Sequence, residues 1–326
     1  LENYTLIEAT FIAPIEDRLG LVEERIRAQA DGHHSAVGAA LHHLLSSGGK
    51  RIRVIVTLLT GKMLGGDPDK LVTLAAAIES LHTATLVHDD LIDGAMIRRG
   101  IPTLNAQWSP AATVLTGDFI FSKAAKLAAE TGSVDVMRVF AETLAVIVNG
   151  EIAQLFSSKW IANRENYYHR IYAKTASLFE ASTTTAAILS GASESKRGAM
   201  KQFGYDIGMA FQIIDDILDF TSEQTTMGKP VASDLRQGLI TLPVLYYLEN
   251  NPGDTDMKKI LESNFCDENC LNRLLISIRE SGAIKLSHNE ARQYVEKGLN
   301  SLKKLPESKE HKALEDLAAY IVDREI

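Results

Sequence analysis

The sequence predicts an all-α protein, folded as one large helical bundle over residues 1–326. Three observations carry that expectation. Ala- and Leu-rich segments place apolar residues at three- and four-residue steps, as Leu71, Leu74, Ile78, Leu81 and Thr85 do, and that is the spacing of one helix face. Prolines number only 8, and most fall where such a segment should start or stop. No stretch alternates apolar and polar residues between turn signals, as a half-buried strand does.

In chain order, the first helix is expected over residues 4–30 and the second over 36–45. The third, 51–64, follows the Gly48-Gly49 pair. The fourth opens on Pro68 and runs to 93; the fifth opens on Pro110, beyond Pro102, and runs to 130. Segments 134–159, 164–190 and 196–220 continue the helical spacing. Pro230 precedes the next helix, 239–250, and Pro252 follows it. Helices over 271–280 and 288–302 come next, and Pro306 separates them from a last one over 309–324. Many exceed the average helix length and none needs a partner sheet, which favours one bundle over two domains.

Apolar residues make up 45% and charged residues 23%, a globular mix that excludes a disordered or collagen-like chain. With 34 basic and 42 acidic residues the net charge is −8, so no nucleic-acid partner is expected. An anionic ligand then needs a local basic cluster or metal ions. The cysteines, Cys266 and Cys270, are too few for a disulfide framework and supply half a metal site at most, which fits a reducing, cytoplasmic setting. No basic region followed by an apolar stretch opens the chain, so no leader is expected. The longest charge-free stretch, residues 100–117, holds Pro102, Asn105, Gln107 and Pro110, so no transmembrane segment is expected.

Asp89-Asp90-Leu91-Ile92-Asp93 and Asp215-Asp216-Ile217-Leu218-Asp219 repeat one pattern, Asp-Asp-x-x-Asp, on apolar helices. Residues four apart lie one turn apart on one face. Asp89 therefore stacks on Asp93 and Asp215 on Asp219, with Asp90 and Asp216 beside them. One such box reads equally well as a solvated helix end. Two, each followed by basic residues, do not. Carboxylates are the ligands that Mg2+ prefers, taken one or two at a time and completed by water and substrate phosphates. Two facing boxes are expected to hold Mg2+ ions around a diphosphate. Zn2+ is disfavoured, since no compact Cys/His set occurs.

Gly48-Gly49-Lys50-Arg51-Ile52-Arg53 sets three cations after a flexible pair. Leu44 and Arg51 rule out a P-loop. Cations at a helix start oppose its dipole, which a bound anion would explain. Arg98-Arg99, Lys174 and Lys229 extend the basic set, and Arg and Lys clamp phosphate oxygens. Lys174 taken alone reads as an ordinary exposed lysine. His82 shares a stripe with Thr85, Asp89 and Asp93 and reads equally as a satisfied core residue or as part of a site. Gln212 precedes Asp216 by one turn and can orient it or a phosphate. His33-His34 and His42-His43 read as surface.

Taken in order, G-G-K-R-I-R from Gly48, L-V-H-D-D-L-I-D with R-R-G after it, G-D-F-I-F, G-E-I-A-Q-L, K-T-A and F-Q-I-I-D-D-I-L-D resemble the trans-isoprenyl diphosphate synthases, or polyprenyl synthetases. The resemblance runs from Gly48 to residues 317–322. It implies an isoprenoid synthase-like helical bundle around a central cavity, and a homodimer. It implies an allylic diphosphate held by about three Mg2+ between Asp89, Asp90, Asp93 and Asp215, Asp216, Asp219. It assigns isopentenyl diphosphate to Lys50, Arg53, His82 and Arg99, and the allylic diphosphate to Arg98, Lys174, Thr175, Gln212 and Lys229, with Lys174 counted as catalytic. Val54 stands where many members have Pro, and Leu239 where many have Lys, which removes one phosphate contact. The implied chemistry is ionisation of the allylic diphosphate with Mg2+ and cations stabilising the leaving group, attack by the double bond of isopentenyl diphosphate, and proton loss.

Small side chains at Ala84 and Thr85, one turn below the first box, leave the tail a path down the helix past Leu81, Ile78 and Ala77. A turn rises about 5.4 Å, close to one extended isoprene unit, so the expected product has about thirty to forty carbons. The floor is assigned to another helix, through Phe140 or Ile147. Ordinary helix packing is the competing reading of those small residues. A shorter, geranylgeranyl-type product stays open, as does a catalytic subunit working with an unlike small partner. A terpene cyclase is disfavoured by the full second box, and a non-catalytic subunit by the presence of both.

Overall fold

The computed structural model describes residues 10–46, 48–156, 161–221, 231–263 and 267–324. Lys229 and Cys266 lie outside the described residues. The chain forms two compact units and passes from one to the other five times: Leu1–Leu144, Leu178–Gly204 and Ser301–Leu317 make the first, and Ala145–Ser177, Tyr205–Asn300 and Ala318–Ile326 the second. The all-α expectation holds, since the only strands among the described residues are a two-residue pair at 97–102.

In the first unit, α1 (Glu16–Arg27), α2 (Ser35–Ser46), α3 (Ile52–Met63), α4 (Pro68–Ile92) and α5 (Pro110–Glu130) follow in order. Helix α4 organises the rest. Asp67 caps its start, accepting from the backbone N–H of Asp69 and Lys70 at 3.0 Å, and Pro68 fits the first turn without losing a hydrogen bond. From Leu71 to Leu81 every residue is buried, so this stretch is enclosed all round rather than along one face. A helix of that kind is a core helix, and α1, α3 and most extensively α5 pack on it. The expected single stripe was therefore too narrow: Ala75, Ala76 and Ala77 are as buried as Leu74. At its end, Gly94 N–H bonds to Leu91 O and Ala95 N–H to Asp90 O, a Schellman closure that stops the helix just past the first aspartate box.

The hairpin that follows was not expected. Ile97-Arg98 pairs antiparallel with Ile101-Pro102, too briefly for a period-two signal. Arg99 and Gly100 form its turn with φ of 51° and 78°, the two positive values that a type I′ turn demands. His43, read as surface, is half-buried and donates to Pro102 O at 2.8 Å.

Helix α6 (Val134–Phe156) and helix α7 (Arg164–Ile171) follow, and Tyr172–Ala176 then form a π-helical turn before α8 (Ser177–Leu189). One uninterrupted helix was expected over 164–190. The wider turn leaves Lys174 exposed and Thr175 buried, and such turns recur at functional sites. Next come α9 (Glu194–Thr221), α10 (Ser233–Gln237), α11 (Leu242–Asn250), α12 (Thr255–Ser263), α13 (Glu268–Glu280), α14 (Ala283–Leu302) and α15 (Lys309–Asp323). Helix α12 was not foreseen, although its cap is in the sequence: Asp254 accepts from Met257 N–H at 2.7 Å. In the second unit Arg164 of α7 pairs with Glu249 of α11 at 2.6 and 3.0 Å. It also reaches Glu290 of α14 at 3.3 Å, which fixes the start of α7.

Among the described residues two helices have the length and hydropathy of a membrane span, and they differ. In α4 that stretch is 78% buried within the protein, and in α6 only 17%.

Candidate active site

Helix α4 delivers the first box with three different environments. Asp89 is half-buried, Asp90 buried and Asp93 exposed. The hairpin turns Arg98 back onto the box, where its Nε and a terminal N–H donate to Asp90 Oδ1 at 2.8 and 2.7 Å. Asp90 is therefore neutralised by the protein itself. Just before the box, the His88 ring lies where a Cβ on Gly117 of α5 would be, with Nε2 2.1 Å from that point. Gly117 opens the G-D-F-I-F motif, so the motif's glycine is what lets α5 approach the box helix. His88 Nε2 sits 3.2 Å from Val114 O, a donor contact that fixes the ring.

The basic loop folds against the same helix. Arg53 lies 3.3 Å from His82 Nε2 and 4.7 Å above the Phe179 ring. Burial first, and then Arg53, hold the His82 imidazole well below its ordinary value. A neutral His82 accepts from Arg53 through Nε2 instead of repelling it. Arg99 donates to Gly48 O, and its guanidinium rests on Gly49, where a Cβ would meet it at 2.4 Å. Of the residues assigned to isopentenyl diphosphate, Arg53 on α3 meets His82 on α4, and Arg99 of the hairpin meets the loop that carries Lys50. Arg51 points elsewhere: it pairs with Glu79 at 2.5 Å.

In the second unit, α9 carries the second box, again with three environments. Asp216 is buried and takes hydrogen bonds from Tyr167 Oη at 2.7 Å and Gln212 Nε2 at 2.8 Å. Thr175 donates to Gln212 Oε1 at 2.6 Å, so the π turn extends the chain of bonds. Burial first and the Asp234 carboxylate second push Asp216 up to about 8. Asp219 is also buried, and it accepts from Ser233 N–H, Ser233 Oγ and Asp234 N–H at 3.0, 2.9 and 3.1 Å. Its carboxylate caps α10. Asp215 keeps 40% of its side chain exposed and pairs with Arg324, which stacks on Phe211 at 4.3 Å. Lys174 pairs with Glu151 at 2.8 Å.

Among the described residues no three acidic or histidine side chains converge on one point. Hard carboxylate donors that reach solvent nevertheless suit a cation that takes one or two of them and fills its shell with water and phosphate. The donor set fits Mg2+ on that ground.

Reasoning from sequence counted Arg51 among the loop cations without giving it a role, and did not single out Glu79, Tyr167 or Arg324. Glu79 had a usable signal, a lone carboxylate inside the apolar run 71–81. Tyr167 and Arg324 had none, since only the fold brings them to the second box. Ala84 and Leu81 are fully buried in α4, while Thr85 is half-buried.

The polyprenyl synthetase family profile matches residues 34–277. The chain is 36% identical over 312 residues to heptaprenyl diphosphate synthase component 2 of Geobacillus stearothermophilus, covering 95% of this chain and 97% of that protein. It is 35% identical over 286 residues to octaprenyl diphosphate synthase of Escherichia coli, covering 87% and 88%. Its fold is similar to the crystal structure of a polyprenyl synthase from Caulobacter crescentus complexed with calcium and isoprenyl diphosphate. There the TM-score is 0.90 at 33% identity, over 97% of this chain and 98% of that one. The chain belongs to the polyprenyl synthetase family and is a trans-prenyltransferase.

Proposed function

We propose that this enzyme condenses isopentenyl diphosphate with an allylic diphosphate, farnesyl or geranylgeranyl in type, to a long-chain all-trans polyprenyl diphosphate of about thirty to forty carbons. The single observation that carries the reading is the pairing of two aspartate boxes with a separate basic cluster in one chain. One class of group handles a leaving diphosphate and the other holds a second one. Relatives named for hepta- and octaprenyl products support the length, and one named for a nonaprenyl product lies just beyond it.

Asp89, Asp93 and Asp215 are the box members that reach solvent, so they are the ones we assign to Mg2+. Asp90, Asp216 and Asp219 hold Arg98, Tyr167 and α10 in place around them. Bound Mg2+ supplies charge neutralisation for the departing diphosphate. Lys50, Arg53 and Arg99 bind and orient isopentenyl diphosphate, with neutral His82 beside them. Arg98, Lys174, Thr175, Gln212 and Lys229 serve the allylic diphosphate, and apolar helix walls keep water from the cation formed by ionisation.

A homodimer is part of the proposal. Ala141, Ala145, Val148, Ile152 and Leu155 of α6 recur at three- and four-residue steps and are all exposed, an apolar stripe that calls for a partner surface. Relatives named component 2 of a synthase favour a second reading, in which an unlike small subunit covers this face. A cytoplasmic setting, one catalytic domain over 1–326 and no nucleic-acid partner complete the reading.

The test is incubation with radiolabelled isopentenyl diphosphate and a series of allylic primers, with and without Mg2+, followed by product sizing and size exclusion of the purified chain. Mg2+-dependent incorporation into products beyond twenty-five carbons, by a homodimer, is expected. No incorporation with any primer overturns the proposal; restoration of activity by a second polypeptide selects the heteromeric reading.

A further inference from the structure

Within the basic loop one arginine behaves unlike the others. Lys50 is exposed and Arg53 half-buried. Arg51, between them in sequence, is turned inward with 12% of its side chain exposed. Its guanidinium donates to Glu79 Oε1 at 2.5 Å and to Leu45 O at 3.1 Å, and lies 3.8 Å from Glu23 Oε1. Glu79 is 4% exposed, a carboxylate inside the otherwise apolar part of α4. Burying either charge alone would be costly, so each needs the other.

The backbone pays attention to this pair. Arg51 has φ of 49° and ψ of 30° at the residue that starts α3. A side chain other than glycine avoids that left-handed region, and such conformations persist where surrounding contacts over-determine them. The contacts here are the bonds to Glu79 and Leu45. They hold the left-handed residue between Lys50 and Arg53. Glu79 also stands three residues before His82 on α4, hence on the same helix face, and His82 receives Arg53 at 3.3 Å. The loop is thus tied to α4 at two neighbouring points, by Arg51 to Glu79 and by Arg53 to His82.

We propose that the buried Arg51–Glu79 pair is a positioning device for the diphosphate clamp, setting Lys50 and Arg53 at their places beside His82 without itself touching substrate. The inference rests on the reading of Lys50, Arg53, His82 and Arg99 as the isopentenyl diphosphate site. It separates Arg51 from its neighbours in the motif: two cations of G-G-K-R-I-R hold phosphate and the middle one holds the other two.

The test is steady-state kinetics of the full-length enzyme in each substrate, with thermal midpoints measured alongside. Glu79→Gln keeps the shape and removes the charge. Arg51→Lys keeps the charge and loses the fork that reaches Glu79 and Leu45 together. Glu79→Gln is expected to raise the KM for isopentenyl diphosphate roughly tenfold and leave that for the allylic substrate unchanged. Arg51→Lys should do the same to a smaller extent. The double variant should be no worse than Glu79→Gln alone, as coupled residues are non-additive. Lys50→Ala serves as the control for the site itself. If Lys50→Ala weakens isopentenyl diphosphate and the folded Arg51→Lys and Glu79→Gln proteins do not, the positioning role is wrong and the pair is only structural. Equal increases in both KM values overturn it as well. If Glu79→Gln does not fold, Arg51→Lys decides by the same criterion. If Lys50→Ala itself leaves that KM unchanged, the diphosphate reading falls, and the proposal with it.

Discussion

Asp219→Asn should lower stability before any substrate or metal is added, and Asp215→Asn should not. The Asp219 carboxylate accepts three hydrogen bonds, from Ser233 N–H at 3.0 Å, Ser233 Oγ at 2.9 Å and Asp234 N–H at 3.1 Å, the last through Oδ2. Asparagine keeps one oxygen, which can still serve Ser233. Its amide nitrogen then faces Asp234 N–H, donor against donor. The change removes one charge-assisted bond at a buried residue, worth about 1.5–3 kcal/mol. In a protein of this size that is a fall in midpoint of about 2–4 °C. Asp215 is paired to Arg324 at a partly exposed position, where an ion pair contributes about 0–1 kcal/mol. The assay is thermal unfolding in chelator, with amide exchange read over residues 232–238. Asp219→Asn should speed exchange there, since Asp219 anchors the start of the segment, where Ala232 N–H also bonds to Asp219 O at 2.8 Å. An unchanged midpoint with unchanged exchange, or an equal loss in Asp215→Asn, would refute the division of the box into capping and solvent-facing members.

Two further outcomes follow from the same geometry. Ala84→Phe should shorten the product to about fifteen or twenty carbons with the first condensation retained, and because Ala84 is fully buried it should also cost about 1–3 kcal/mol by overpacking; product sizing that shows the wild-type length would mean the tail does not run past this face. The lowered His82 value means that below the ordinary histidine pKa of about 6.5 the unfolded chain binds more protons than the folded one, so stability present above that pH is lost as pH falls, by up to about 1.4 kcal/mol per unit. Thermal midpoints from pH 7 to 5 should therefore fall more steeply for wild type than for His82→Gln, and parallel curves would show that His82 contributes nothing.

The boxes were legible because a helix converts spacing into a face. Asp89, Asp90 and Asp93 could be placed on one surface without coordinates, and α5, expected to open on Pro110 and run to 130, has those bounds. What the pattern could not show is which carboxylate is already satisfied. Asp90 and Asp216 hold the same place in identical motifs, yet one is paired with Arg98, eight residues on in a hairpin, and the other is hydrogen-bonded by Tyr167 and Gln212. The first partner depends on two residues of positive φ at Arg99 and Gly100, the second on packing between elements far apart in sequence. The π turn at Tyr172–Ala176 was illegible for a related reason: its residues suit an α-helix equally, and the difference lies in one extra residue per turn.

An acidic chain that handles two diphosphates has to keep cations and carboxylates from cancelling one another. The structure does this by burial. In the first unit Arg51 is matched to Glu79 and Arg98 to Asp90, with both carboxylates buried. Counting every arginine of the two basic motifs therefore overstates the positive charge presented to an anion. Neutral His82 works in the opposite direction. Held below its ordinary value by burial and Arg53, it adds no second positive charge beside that guanidinium and leaves it less repelled than a charged imidazole would. The same division operates on the aspartates. Asp90, Asp216 and Asp219 are buried and bonded, while Asp89, Asp93 and Asp215 reach solvent to differing extents. Mg2+ takes one or two carboxylates and prefers to keep water and phosphate in its remaining positions. A full set of six ionised carboxylates would compete with the diphosphate for those positions. In the proposed site, removing half of them into hydrogen bonds would keep each box acidic enough to attract the cation and leave its shell open to substrate.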